Sequence, residues 1–196
     1  ISKSKILQTV KNFRGLPHRL ELVHAPAIIP IIRANEGNDK NKKGCMIKFY
    51  NDSASTNPQT TAAAIRAFKE PLILIAGGRD KNLDYAPLGK AILESKNLRA
   101  VILFGENKLK IKTAVIARSG DLPVGRQARQ SYKNIKIKIT KDLRSAVILA
   151  TNEAKLVASG YPLVVVIFSP GAASFDMFRD YADRGEKFKA IVKKLK

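Results

Sequence analysis

The chain has 196 residues, 45% of them apolar, and its 36 Lys and Arg against 16 Asp and Glu give a net charge of +20. At roughly 150 residues per domain this is one domain with extra segments, able to bury a sizeable core and too apolar for global disorder. No apolar run approaches the ~18 residues needed to cross a bilayer, and the lone Cys45 excludes an intrachain disulfide framework and a multi-cysteine zinc site.

Residues 1–19 read as a small separate unit: a short helix over 3–13, then a hinge at Gly15-Leu16-Pro17. A strand follows around 20–23. The polar, Gly/Asn-rich stretch 34–44 reads as a long hairpin loop before a strand over 46–50. Asn57 then Pro58 mark an N-cap and first helical position for a helix over 58–69. The runs 72–76 (LILIA), 100–104 (AVILF) and 163–168 (LVVVIF) are continuously apolar. That is the signature of strands covered on both faces, so the fold is expected to be α/β: a Rossmann-like, mostly parallel sheet with helices on both faces. Each run is followed by Gly or Ser and a helical stretch. Further helices are predicted over 85–95, over 142–158 with Thr140 or Asp142 as cap, and over 174–195, where Phe175, Phe178, Ala182, Phe188, Ile191 and Leu195 make a core-facing stripe. The stretch 118–133, with two Gly, one Pro and no period, reads as an inserted loop.

The positive charge is concentrated in 1–48, with ten basic and three acidic residues, and in 108–144, with eleven and two. Neither segment interleaves basic residues with aromatics as a single-strand binding platform would. Nonspecific attraction to nucleic acid at low salt is expected, and no membrane association. A basic module for nucleic acid or another anionic surface is the rival to an enzyme domain. No GxxxxGK[ST] phosphate loop and no GxGxxG fingerprint is present, and His18 and His24 are not spaced as metal ligands. Four strand-end clusters remain: Asn51 to Pro58, Gly77 to Lys81, Phe104 to Glu106, and Ser169 to Ser174. Hydroxyls, helix N-terminal amides and a lysine at the carboxyl edge of a parallel sheet suit a small acidic molecule. Taken singly, Asp52, Ser53, Asn57 and Ser174 read as helix caps.

These clusters carry a resemblance. Gly15-Leu16-Pro17-His18-Arg19 is followed by Asn51-Asp52-Ser53-x-x-Thr56-Asn57-Pro58, Gly77-Gly78-x-x-Lys81, Leu83-Asp84-Tyr85-x-Pro87-Leu88, and Ser169-Pro170-x-x-Ala173-Ser174-Phe175-Asp176-x-Phe178 with Arg184-Gly185. This ordered series, from about Gly15 to the end of the chain, resembles the C-terminal domain of the Mur ligase family, in the branch that adds D-glutamate. The resemblance implies the third domain of a cytoplasmic, monomeric, three-domain enzyme of peptidoglycan precursor synthesis. Such an enzyme uses ATP and Mg2+ to phosphorylate the carboxylate of UDP-N-acetylmuramoyl-L-alanine, and the D-glutamate amine attacks the acyl phosphate.

It also implies a division at 1–19, the tail of a central ATPase domain and hinge, and 20–196, the C-terminal domain with long loops near 34–44 and 118–133. The phosphate loop and magnesium ligands would lie in the missing central domain and the UDP site in the missing N-terminal one. This piece alone is then expected to be inactive. Arg19 and Asp52 match residues that contact the nucleotide; Thr56, Lys81 and Ser174 match residues around the D-glutamate side chain; Tyr181 matches a position whose backbone helps hold it. Ala54 stands where better-known members carry a lysine, and Arg79 is expected to compensate electrostatically. Another Mur or folylpolyglutamate-type ligase is the nearest alternative, although the Asp-Asn-Pro-Arg run of meso-diaminopimelate recognition is not found.

Overall fold

A computed structural model describes residues 1–13, 15–23, 28–29, 45–119 and 135–195. The expected loop at 34–44 and the 120–133 part of the second loop lie outside them. In chain order the elements are α1 (Lys3–Asn12), β1 (Glu21–Val23), β2 (Ile28–Ile29), β3 (Cys45–Asn51), α2 (Pro58–Arg66), β4 (Leu72–Gly77), α3 (Ala86–Glu94), β5 (Leu98–Phe104), α4 (Lys108–Ser119), β6 (Lys136–Ile139), α5 (Leu143–Val157), a 3-10 turn (Ala158–Gly160), β7 (Leu163–Phe168) and α6 (Tyr181–Lys193).

The strands form one sheet in the order β1-β3-β7-β4-β5-β6, with β2 also on β3. The five strands from β3 to β6 are mutually parallel, and β1 and β2 run antiparallel to β3. Strand alternation explains the continuous apolar runs. In β4, Ile73 and Ile75 face α5 and α6, whereas Leu72, Leu74 and Ala76 face α2, α3 and α4. β7 splits the same way, Val164, Val166 and Phe168 against Val165 and Ile167. Both faces are buried, so neither register of the strand reads as polar.

The chain passes from β3 to β4 and leaves a place that β7 later fills, returning across the sheet from β6. The carboxyl ends of β3, β7 and β4 therefore sit side by side at a topological switch point. Asn57 caps α2 with its side chain on the Thr60 amide, and Asp142 caps α5 through Ser145.

Three elements differ from the sequence expectation. The last helix starts at Tyr181, not at 174. Residues 172–174 are pinned before any helix can begin, by the Arg79–Ala173 bridge and by Arg184, and Asp180 supplies the actual cap. Phe175 is accordingly 59% exposed rather than part of a buried stripe, while Phe188 is fully buried. α4 runs on through residues 118 and 119, where the sequence predicts a loop, and 136–139 forms the strand β6, which the sequence pattern does not predict. α1 has no buried residue, and Ile6, Leu7 and Val10 are at least half exposed. No helix among the described residues is long and apolar enough to cross a membrane.

Candidate functional site

The carboxyl edge of the sheet has two layers, a sealed polar floor and an open rim. Arg184 forms the centre of the floor. It is 0% exposed although it is a guanidinium. Its Nε donates to Ser53 Oγ at 3.0 Å, Nη2 to the Ser53 carbonyl at 2.9 Å, and Nη1 to the carbonyls of Ala172 and Ala173 at 2.9 and 3.0 Å. One side chain from α6 thus joins the loop after β3 to the loop after β7. Ser53 Oγ donates in turn to the Tyr181 carbonyl at 2.7 Å. Burial pulls the Arg184 pKa down to about 10, with the nearby Asp176 charge opposing that shift. The group remains charged at neutral pH.

Asp52 is equally sealed, at 1% exposure. Oδ2 accepts from the hydroxyls of Ser55 and Ser169, and Oδ1 accepts from the Leu20 amide at 3.3 Å and faces Arg19 at 3.7 Å. Burial pushes its carboxyl up, and these hydrogen bonds and the Arg19 charge only partly offset that. With both oxygens engaged, Asp52 has no free face for a ribose in this arrangement. Arg19, whose side chain is 44% exposed, offers the accessible cation; it donates to Ser55 Oγ at 3.1 Å and to the Ala54 carbonyl at 3.3 Å. The donor set therefore fits a nucleotide phosphate through Arg19, with Asp52 holding Arg19 from below. Among the described residues no three His, Cys, Asp or Glu cluster as a metal site.

His18 is buried in the left-handed region at φ 59°. Its Nδ1 lies 2.9 Å from Asn51 Nδ2, its carbonyl accepts from the Ala54 amide at 2.9 Å, and its ring meets Tyr181 edge-on at 6.1 Å. On the other flank, Asn107 Oδ1 accepts from the Gly78 amide at 2.9 Å and Nδ2 donates to Tyr85 Oη at 2.6 Å. The turn after β4 approaches β5 so closely that a Cβ on Gly77, at φ +125°, would lie 1.9 Å from the Phe104 carbonyl oxygen. Both Asp176 oxygens are sealed without a hydrogen-bond partner of good geometry. Burial raises its pKa against the opposing pull of the Asp176 and Glu106 amides and Arg184.

The rim holds the residues singled out from the motifs. Thr56 follows Ser55, whose carbonyl accepts from the Gly171 amide at 3.0 Å. Ser174 follows Ala173, whose carbonyl accepts from the Arg79 amide at 2.8 Å. Lys81 is two residues beyond Arg79, and its Nζ stands 5.3 Å from the Phe175 ring centroid. The loops after β3, β7 and β4 are thereby stitched to one another, and Thr56, Ser174 and Lys81 stand on one sheet edge. None of the three donates a hydrogen bond within the described residues. Ser174 is 2% exposed, and Thr56 and Lys81 are open to solvent. Tyr181 is 47% exposed, but its carbonyl is already taken by Ser53.

Of the four candidate caps, only Asn57 starts a helix; Asp52, Ser53 and Ser174 belong to the edge itself. Arg79 is paired with Glu106 at 3.2 Å, so its charge is neutralised locally. The contributions of Arg184, Asn107 and Asp176 were not read from sequence. Arg184 and Asp176 stood within the quoted motifs, but their partners lie far away in the chain.

No family model matches the chain. It is similar to the UDP-N-acetylmuramoylalanine–D-glutamate ligases of Clostridium tetani, at 33% identity over 96% of this chain and 33% of the relative, and of Aquifex aeolicus, at 35% over 94% and 35%. The chain thus spans about a third of the length of the curated relatives it matches. A solved Mycobacterium tuberculosis folylpolyglutamate synthase, complexed with ADP and AMPPCP, superposes over 89% of this chain and 32% of its own, with a TM-score of 0.51 at 15% identity. That likeness is one of fold. The resemblance read from the motifs extends over essentially the whole chain.

Proposed function

We infer that this chain, similar almost end to end to one third of UDP-N-acetylmuramoylalanine–D-glutamate ligases, is the amino-acid-gripping C-terminal domain of an ATP-dependent ligase of that kind. In this reading the enzyme transfers phosphate from ATP to the carboxylate of UDP-N-acetylmuramoyl-L-alanine. D-glutamate attacks the acyl phosphate through its amine, forming the amide and releasing phosphate. The domain's share is to hold D-glutamate and to close over the nucleotide. Residues 1–19 would be the tail and hinge of the preceding domain, which fits an α1 whose apolar side chains find no cover among the described residues.

The observation that carries the reading is the unspent donor set of the rim. Around it, the side chains of Ser53, Ser55, Asp52, Ser169 and Arg184 are committed within the floor, whereas those of Thr56, Ser174 and Lys81 make no hydrogen bond among the described residues. A cation and two hydroxyls on a rigid edge suit the side-chain carboxylate of glutamate, and each charge-assisted bond is worth about 1.5–3 kcal/mol. Arg19 would meet the nucleotide. Bound Mg2+ would neutralise phosphate charge, and no residue of this edge is assigned to it.

The test uses the three-domain protein, with amide formation followed against D-glutamate and against ATP. Lys81→Ala should raise the half-saturating D-glutamate concentration at least about tenfold while changing that for ATP less than about twofold. Equal loss for both substrates, or none, removes Lys81 from this role. Residues 1–196 alone should form no amide.

A further inference from the structure

Away from the rim, a cavity of about 510 Å³ opens between α5 and α6 on one face of the sheet. This is within the ~300–1,000 Å³ range of small-molecule sites. Its floor is aliphatic and aromatic: Leu143 and Ile148 from α5, and Phe178, Ile191 and Leu195 from the α6 side. Its charged lining is cationic only, with Arg144, Lys187 and Lys194 and no carboxylate.

Lys187 is already partnered by Asp183 at 2.9 Å and by the Phe178 ring at 5.2 Å. Arg144 and Lys194 have no ion pair among the described residues. Arg144 also sits in the first turn of α5, where the Asp142 cap, accepting from the Ser145 amide at 2.7 Å, already answers the positive end of the helix and leaves the Arg144 side chain without an ion pair among the described residues. Two cations without an ion pair beside an apolar lining are completed by a ligand with one anionic head and an apolar body.

We propose that the α5–α6 cavity binds an alkyl carboxylate, with its head between Arg144 and Lys194 and its chain along Ile148, Phe178 and Ile191. The site is independent of the ligase reading: it shares no residue with the rim and lies against helices, not strand ends.

The experiment is calorimetric titration of the 196-residue chain with laurate, below its micellar range, alongside acetate, dodecanol and dodecyltrimethylammonium. Laurate should bind one to one. Acetate should not bind detectably, and dodecanol and the ammonium amphiphile should be weaker by about tenfold or more. The exposed pair Arg144→Glu/Lys194→Glu should weaken laurate by at least about tenfold, and a control pair of equal charge change on α1, Lys3→Glu/Lys5→Glu, should leave it within about twofold. Far-UV circular dichroism checks that both double variants stay folded, and Ile148→Lys supplies a second test by placing a charge on the floor. Equal binding of laurate and the ammonium amphiphile overturns the proposal. So does equal weakening by both double variants, which would mean attraction to net charge alone, a stoichiometry of many, or an absence of laurate binding.

Discussion

Replacing Arg184 with Met removes the guanidinium while keeping the unbranched length of the side chain, so the perturbation is electrostatic and not a cavity. Four charge-assisted hydrogen bonds disappear. Ser53 Oγ keeps the Tyr181 carbonyl as a partner and the Ala173 carbonyl keeps the Arg79 amide, but the carbonyls of Ser53 and Ala172 are stranded in a buried place. Each stranded acceptor costs about 1–3 kcal/mol. Relief of the buried charge, visible in a pKa pulled down to about 10, offsets part of that. The balance resembles deletion of one member of a buried ionic network, about 3–5 kcal/mol of stability. Arg184→Lys keeps a charge but not the planar fork, and should lose about half as much. Urea titration followed by circular dichroism measures both. The loss should persist at 1 M salt, because the Debye length screens exposed charges and not this one. A loss below about 1 kcal/mol for Arg184→Met would refute the idea that this residue ties the two loops together.

Gly77→Ala should destabilise by about 3 kcal/mol or more, since its Cβ would overlap the Phe104 carbonyl at a positive φ, whereas Gly160→Ala, with nothing within 4 Å, should stay within about 0.5 kcal/mol; matched thermal melts decide. Burial pushes the Glu153 carboxyl up, but Lys138 at 2.6 Å and Lys136 at 3.1 Å outweigh it and leave it below its ordinary value. Such a group contributes stability that is present above its unfolded pKa and lost as pH falls through its folded one. The native chain should therefore lose more stability than Glu153→Gln between about pH 5 and pH 3, and parallel pH profiles would count against the pairing. Glu106 accepts from the Arg79 guanidinium at 3.2 Å and the Asp80 amide at 3.3 Å. Glu106→Ala should speed hydrogen exchange at Asp80 by about tenfold with under about 1 kcal/mol of global loss, and unchanged exchange would show that the Lys81 loop is held without it.

What could be read from the sequence follows from how each element is buried. β4, β5 and β7 are enclosed by helices on both faces, so their unbroken apolar runs read as a parallel sheet. β6 and α4 escaped because lysines interrupt them for reasons that are not local. Lys136 and Lys138 reach across to the buried Glu153 on α5, and Lys110 reaches back to Asp80 and Asn82. The α6 stripe was extended too far for the converse reason, since Phe175 and Phe178 keep helical spacing in a stretch that long-range bonds hold in turns. The strand-end clusters that contain Thr56, Lys81 and Ser174 were legible because a parallel sheet gathers its loops at the carboxyl ends of the strands, and the family resemblance, not their spacing, singled out those three side chains. The floor was not: Arg184 and Ser53 are 131 residues apart, and no period or spacing links them.

The division between floor and rim also answers where positive charge near Ala54 comes from. Arg79 stands on the right edge, but Glu106 takes its charge, and both groups are about half exposed, so little field is left at the β3 end. Arg19 reaches the place instead. Its Nη2 donates to the Ala54 carbonyl at 3.3 Å, and its counter-charge, Asp52, is shared with two serine hydroxyls and an amide. A carboxylate divided among so many donors, and itself pushed toward neutrality by burial, cancels less of the guanidinium than a dedicated partner would. Arg19 also lies beyond the Gly15-Leu16-Pro17 turn and is bonded to Ser55 and Ala54 in the loop after β3, so a hinge at that turn would leave the cation beside the rim. The accessible cation beside Ala54 is thus Arg19, 35 positions earlier in the chain.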